Sequence, residues 1–294
     1  MIAKPFIKWV GGKTQLLPAI SSRYPDELGS SIDTYIEPFV GKGAVLFDIL
    51  NRYELREIII NDANSALINT YLQIRDNLEL LLLNLRILDL EYSVARVPQV
   101  YYNLKREEYN AILGSSTSNA RSLYAALFIF LNKTCFNGLY RVNRSGNFNV
   151  PMGKYVNPKI YDETNLRLVS EKLQGVRIMD REYTSTLRYI TDSSFVYIDP
   201  PYRPLNRTSN FTAYTPLSFD DDDQEALAEY MCIASDRGAK VLLSNSDPKN
   251  TNPEDDFFDD LYSEFNIERI QARRVINCNG DSRGPINELL IKNY

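Results

Sequence analysis

Apolar and polar positions along this chain alternate between two periods. From Thr34, the run TYIEPF reads as a short buried strand, and the glycines of VGKGAVLFDIL then give way to apolar residues at helical spacing. REIIIND, over 56–62, reads as a second strand ending on an acid, followed by the helix-like ANSALINTYLQIRDN. Such a strand–helix–strand–helix series is the signature of a doubly wound sheet, whose helices cover the faces of parallel strands. The stretch from about 78 to 135 is mostly helical in period, with a polar break at GSSTSN over 114–119. LYRVNRSGNFNV comes next, two short strand-like runs around Ser145-Gly146 that predict a β-hairpin. Strand patterns resume at VRIM (176–179), SFVYID (194–199) and AKVLLSN (239–245), then NIERIQARRVI (266–276) and INELLIKNY (286–294). No helical pattern separates the last two, so they are expected to pair antiparallel at one edge of the sheet. The expected architecture is an α/β core of Rossmann-like, doubly wound type, residues 1–71 and 161–294. A mostly helical insertion bearing the hairpin occupies 72–160.

The composition narrows the chemistry. Of 294 residues, 44% are apolar and 24% charged, ordinary for a soluble enzyme, and the length allows one large domain or a core with an insertion. Cys135, Cys232 and Cys278 are odd in number and widely spaced, which argues against a disulfide framework and fits a reducing cytoplasm. Histidine is absent. That removes Ser-His-Asp hydrolases, Cys-His proteases, His-ligated zinc deaminases and metalloproteases together. The opening MIAKPFIKWVGGK lacks the apolar core of a signal peptide. The best apolar stretch, LELLLLNLRILDL, is broken by Asn84 and Arg86, so no membrane partner is expected.

Charge placement matters more than the net charge of −5. Residues 1–25 carry Lys4, Lys8, Lys13 and Arg23 without an acid. Residues 109–161 carry Arg121, Lys133, Arg141, Arg144, Lys154 and Lys159, again without one, while acids concentrate in DDDD at 220–223 and EDDFFDD at 254–260. The acid-free middle stretch is also rich in Asn, Tyr and Phe, which suits groove hydrogen bonding and base stacking; a polar loop free of acids by accident is the plainer reading. Segregation of this kind permits local phosphate contact by a chain that is negative overall.

Three segments carry candidate chemistry. Asp199-Pro200-Pro201-Tyr202 closes a predicted strand, the place where open α/β sheets bind ligands. Two consecutive prolines stiffen the backbone and leave carbonyl acceptors without N–H donors. An acid, a fixed carbonyl and an aromatic face suit a planar base bearing an exocyclic amine, although a strand ending at a Pro-Pro turn is common without any function. Glu37-Pro38-Phe39-Val40-Gly41-Lys42-Gly43 follows the first strand, and its glycines allow a tight turn close to a nucleoside. Asp62, at the end of the next strand, stands where an acid grips ribose hydroxyls; a nicotinamide cofactor fits this far as well. Third, Phe6-Ile7-Lys8-Trp9-Val10-Gly11-Gly12-Lys13-Thr14 contains GGKT. A phosphate loop needs glycine where Ile7 stands and a strand before it, so a nucleotide triphosphatase is not indicated.

In this order, FIKWVGGK, EPFVGKGAVLF and DPPY resemble the Dam-type, class alpha, DNA adenine-N6 methyltransferases, in which a target-recognition insertion precedes the catalytic motif. LNKTCFNGLYRVNRSGNFNVPMGKY (131–155) is similar to the recognition hairpin of members that modify GATC. The resemblance spans almost the whole chain and implies a methyltransferase sheet, S-adenosylmethionine as cofactor, no metal, and double-stranded DNA as substrate. It also allows a companion restriction endonuclease. It implies that Trp9, Lys13, Phe39, Gly41, Gly43, Asp62, Glu182, Tyr183 and Asp199 surround the cofactor, with Asp180 a competing acid beside Glu182. Asp199, Pro200 and Tyr202 would carry the chemistry. Lys8, Phe136, Asn137, Leu139, Arg141 and Pro151 would meet DNA, while Arg144, Lys154 and Lys159 read as phosphate contacts or surface charge. Lys42 departs from the small residue usual in FxGxG, at a variable position where a long side chain can point to solvent. The segment 203–215 is expected to order over DNA or cofactor. DPPY alone is shared with cytosine-N4 and glutamine methyltransferases; a methyltransferase that uses the same pocket on cytosine N4 or on RNA, and a non-catalytic DNA-binding scaffold, are the alternatives.

Overall fold

The structure is a computed structural model that describes residues 1–9, 11–112, 114, 117–203, 219–273 and 285–294. Seven strands lie in one sheet: β1 (Thr34–Glu37), β2 (Glu57–Asn61), β3 (Arg177–Met179), β4 (Ser194–Ile198), β5 (Lys240–Ser246), β6 (Asn266–Arg273) and β7 (Pro285–Lys292). Their order is β3-β2-β1-β4-β5-β7-β6. β1 to β5 run parallel, and β7 is antiparallel to both β5 and β6, as the closing strand patterns predict. From β1 the chain winds outward through β2 and β3, then returns to build β4 and β5 on the other side. The order therefore reverses between β1 and β4, and the crevice beyond their carboxyl ends is the switch point where such sheets bind ligands.

Period-two alternation divides the core into two layers. Tyr35, Ile60, Phe195, Tyr197 and Leu242 face one apolar cluster, and Ile36, Ile59, Val196, Ile198 and Leu243 face the other. Both faces of the central strands are buried, which is why their sequences read as unbroken apolar runs. The helices are α1 (Leu17–Ser21), α2 (Ala44–Arg52), α3 (Ser65–Asp76), α4 (Leu78–Ser93), α5 (Pro98–Ala111), α6 (Ser118–Thr134), α7 (Glu163–Lys172), α8 (Asp221–Asp236) and α9 (Phe257–Leu261). Asn64 caps α3 through the Leu67 amide at 3.0 Å. The acidic run at 220–223 has a local purpose: Asp220 and Asp223 form a reciprocal capping box at the start of α8, where negative charge also suits the helix dipole.

α4, α5 and α6 fall within the 72–160 stretch expected as an insertion. α6 is apolar around most of its surface, from Tyr124 to Leu131, because α3 and α4 pack on it from different sides. Its residues continue the same apolar cluster that fills one face of the sheet. The expected hairpin forms through single bridges, Val142 with Phe148 and Cys135 with Met152. Asn110 of α5 ties the hairpin to the helices by taking both main-chain groups of Phe148, at 2.8 and 3.1 Å. No helix among the described residues is long and apolar enough to cross a membrane.

Candidate active site

The turn after β1 is held from several sides. Gly41 and Gly43 both have positive φ, 48° and 73°. A Cβ on Gly43 would lie 2.6 Å from the Tyr71 hydroxyl, and one on Gly41 would lie 3.3 Å from the Trp9 indole. The Asp62 carboxylate accepts the Gly41 amide and the Asn64 amide, each at 2.9 Å. Tyr71 donates to the Gly41 carbonyl at 3.1 Å, and Asn61 donates to the carbonyls of Pro38 and Arg181 at 3.0 and 2.9 Å. One network thus ties the ends of β1 and β2 to the chain leaving β3. Burial pushes the Asp62 carboxyl up to about 6, against the two amides that favour its charged form. Glu37, fully enclosed and bonded by the Tyr35 hydroxyl at 2.8 Å, is pushed well above the usual carboxylate range by its burial.

A cavity of about 410 Å³ opens at these strand ends. Phe39, Asp62, Glu182 and Tyr183 line it, as do Trp9, Lys13, Asp199, Pro200 and Tyr202. Phe39 packs against Tyr183 at 5.1 Å between ring centroids, and Trp9 stacks on Tyr140 at 5.9 Å with 24° between planes. Apolar walls with a few converging polar groups are the usual character of a small-molecule site.

The polar groups converge on Asp199, where β4 ends. Its Oδ1 meets the Lys13 ammonium at 2.7 Å and accepts the Ser244 hydroxyl at 3.2 Å. Ser244 is itself bonded to the buried Tyr197 hydroxyl at 2.8 Å. Lys13 also donates to the Tyr202 hydroxyl, and Tyr202 donates to Glu288 at 2.8 Å. Burial raises the Asp199 carboxyl, while the Lys13 ammonium, the Ser244 hydroxyl and Lys42 oppose the rise. Behind the double proline, Gln224 donates to the Pro201 carbonyl at 3.2 Å and accepts from Asn245 at 3.1 Å, fixing the turn.

Sequence expectations meet this geometry unevenly. Every residue assigned to cofactor or chemistry lines the one cavity except Gly43, whose part is the left-handed turn opening α2. Asp180 lies outside the lining and accepts the Ser65 hydroxyl at 3.1 Å, whereas Glu182 lies within it. Lys42 corrects an expectation: its side chain folds over Gly12 and lines the cavity instead of pointing to solvent. The residues assigned to DNA gather elsewhere, around the C-terminal end of α6. Lys8 sits over the Tyr155 ring at 3.8 Å and so close to Gly138 that a Cβ there would lie 2.5 Å from its own. Phe136, Asn137 and Pro151 are exposed, and Leu139 is partly buried against the core. Exposed Arg141 donates its Nε to Asn149 at 2.7 Å. Of the segment 203–215, only Arg203 lies within the described residues; it bridges Asp221 and Asp255 at 2.6 and 2.9 Å. Two participants were not anticipated, Ser244 and Glu288. Neither carries a signal in the sequence: Ser244 lies within an apolar strand, and Glu288 reads as the polar side of its own until its burial beside residues 289–291 is seen.

Comparison with known proteins identifies the family. The profile of the D12 class N6 adenine-specific DNA methyltransferases matches residues 9–276. The chain is similar to the type II methyltransferase M.MjaIII of Methanocaldococcus jannaschii, 47% identical over the whole of both proteins. It is 37% identical to the type II methyltransferase M1.LlaDCHI of Lactococcus lactis subsp. cremoris, over 99% of this chain and 95% of that protein. Against the DNA adenine methylase of Escherichia coli K12 it is 34% identical, covering 98% of this chain and 94% of that one. Of the alternatives the motifs left open, adenine N6 in DNA prevails over cytosine N4, RNA, a non-catalytic scaffold and hydride transfer.

Proposed function

The chain belongs to the D12 class N6 adenine-specific DNA methyltransferase family, and from that premise we propose that it methylates adenine N6 within GATC, on a base swung out of duplex DNA. The observation that carries this reading is that Asp199 and the glycine turn after β1 line one cavity at the reversal of the sheet. The cavity suits S-adenosylmethionine: the indole of Trp9 lies so close to Gly41 that only a glycine there leaves the slot open, and Asp62 presents an acid beside it. Asp62 would receive the ribose hydroxyls, Phe39 and Tyr183 would cover the purine beside Glu182, and Trp9 and Lys13 would flank the rest. When bound, that cofactor supplies an electrophilic sulfonium methyl group.

The chain's own residues prepare the acceptor. The N6 lone pair of adenine is delocalised into the ring and attacks poorly. Asp199 accepts one N6 hydrogen and the Pro200 carbonyl the other, which draws the nitrogen towards tetrahedral geometry and exposes the lone pair. Tyr202 stacks on the ring. Asp199 then takes the proton that the methylated nitrogen sheds. Catalysis is positioning and electrostatics, so a displacement of about 1 Å costs about 100-fold.

Extrusion of the base costs a few kcal/mol, which contacts from the 72–160 insertion offset. In this reading the insertion is the target-recognition domain: Phe136 fills or stacks in the gap, and Lys8, Asn137, Leu139 and Pro151 reach base edges. Arg141 pairs with guanine O6 and N7. The type II names among the relatives support a restriction endonuclease of matching specificity as companion, both acting in the cytoplasm. Plasmid incubated with the protein and S-adenosylmethionine should resist methylation-sensitive cleavage at GATC, and its digest should contain N6-methyl-2′-deoxyadenosine by mass. Full cleavage together with unmodified nucleosides overturns the proposal; protection confined to longer sites that contain GAT overturns the GATC assignment alone.

A further inference from the structure

Glu288 takes no part in the chemistry above, yet it lies at its centre. It stands on β7 opposite Ser246 of β5 and is only 6% exposed. Its Oε2 accepts the Tyr202 hydroxyl at 2.8 Å and lies 3.9 Å from the Lys13 ammonium. Lys13 is 3% exposed and sits 2.7 Å from Asp199 Oδ1. One buried ammonium therefore faces two carboxylates, bonded to the first and about 1 Å short of bonding the second.

That arrangement sets the ammonium and a target amine in competition for one carboxylate: Lys13 and Ser244 hold Oδ1, an amine hydrogen is left Oδ2, and the ammonium draws the carboxylate's charge away from it. Freeing Asp199 by sending Lys13 into an apolar wall would leave a buried charge without compensation. A neighbouring carboxylate removes the difficulty. We propose that Glu288 is a positioning residue that serves as a second seat for Lys13: as the target amine engages Asp199, the ammonium crosses to Glu288 and stays paired. Tyr202, already bonded to Glu288, keeps its ring in place during the exchange. The inference rests on the reading of Asp199 as the amine acceptor. Lys13, Tyr202 and Asp199 face Glu288, and Asp199 also faces Lys42, Ser244, Glu37 and Tyr197.

Steady-state methylation by the full chain tests it, with Glu288→Gln and Glu288→Asp. Gln still accepts from Tyr202 but lacks the charge, so Glu288→Gln should lower kcat about tenfold, roughly what one charge-assisted hydrogen bond carries. KM for DNA and affinity for S-adenosylmethionine should change little. The acid limb of the kcat profile should move to lower pH, because Lys13 then pairs with Asp199 alone and holds it ionised. Glu288→Asp should recover most of the lost kcat. Wild-type kcat and pH profile in Glu288→Gln overturn the inference, as does an equal loss in both variants. If the Gln variant does not fold, the wild-type complex with duplex DNA and an unreactive cofactor analogue decides. Its crystal structure should place the Lys13 ammonium within about 3.2 Å of Glu288, and Lys13 still on Asp199 overturns the second seat. Wild-type protein that methylates no adenine would instead refute the proposed function.

Discussion

The side chain of Asn132 clasps the backbone of Lys8 from both sides, its Oδ1 accepting the Lys8 amide at 2.8 Å and its Nδ2 donating to the Lys8 carbonyl at 2.7 Å. The same Nδ2 donates to the Gly138 carbonyl at 3.1 Å. Trp9 on the cavity and Lys8 beside the hairpin thus hang from one buried amide at the end of α6. Asn132→Ala strands main-chain groups and should cost about 1–3 kcal/mol, read as a lower melting temperature. Both DNA affinity and cofactor affinity should fall in titrations; loss of only one would show that the clasp does not link the two sites.

Asp199→Asn removes the acceptor proposed for the amine and puts an amide donor in its place. Methylation should fall by at least about 100-fold. Calorimetric titration should find S-adenosylmethionine bound within a few-fold of wild type, since Trp9, Asp62 and the glycine turn are untouched. Near-normal turnover would remove Asp199 from the chemistry.

Protonation of Asp62 should govern cofactor affinity in mild acid. Burial raises its carboxyl to about 6, and the charged form is the better acceptor for ribose hydroxyls. Binding therefore strengthens as pH rises towards and through 6, then levels off. The folding linkage has the opposite sign: a carboxyl raised on folding costs stability as pH rises from its unfolded value to about 6. Asp62→Asn should flatten the binding profile in calorimetry at several pH values, and an unchanged profile would assign the titration elsewhere.

At Gly43, alanine meets a left-handed backbone, φ 73°, and a hydroxyl 2.6 Å from the new Cβ. Gly43→Ala should destabilise the fold by about 1–3 kcal/mol. Adding Tyr71→Phe removes the clashing oxygen and should return part of that in denaturant unfolding; a purely additive double variant would place the cost in the backbone alone.

Arginines of the hairpin should separate into two kinds. Arg141→Ala should relax discrimination at one base pair by about 1–3 kcal/mol. Arg144→Ala should weaken binding alike for all sequences and reduce the salt slope by about 0.9 per lost phosphate contact. Binding to matched and mismatched duplexes at several salt concentrations distinguishes them.

Central strands were legible because both their faces are buried, so TYIE and SFVYI announce themselves as apolar runs between turn residues. The cavity was legible at Asp199 and Asp62 for a related reason: each ends a strand that packing fixes in place. Glu288 was not, because an acid in INELLIKNY reads as the wet side of an alternating strand, and only Lys13 and Tyr202, from distant segments, explain its burial. Lys42 misled for the converse reason. A long side chain after a glycine turn looks free until Gly12, lacking a side chain, offers it a place to lie. The hairpin's tie to α5 was equally hidden, since Asn110, which takes the bonds of Phe148, sits on a separate helix.

β7 lies between β5 and β6 although β6 precedes it in the chain. While the ribosome is still making the residues after Arg273, β6 has no neighbour to join, and Lys13, present from the outset, has only Asp199 opposite it. At roughly 5–20 residues per second the interval is brief. Most residues that line the cavity are thus made before the strand that brings Glu288 to Lys13, and the sheet closes only when β7 enters between β5 and β6.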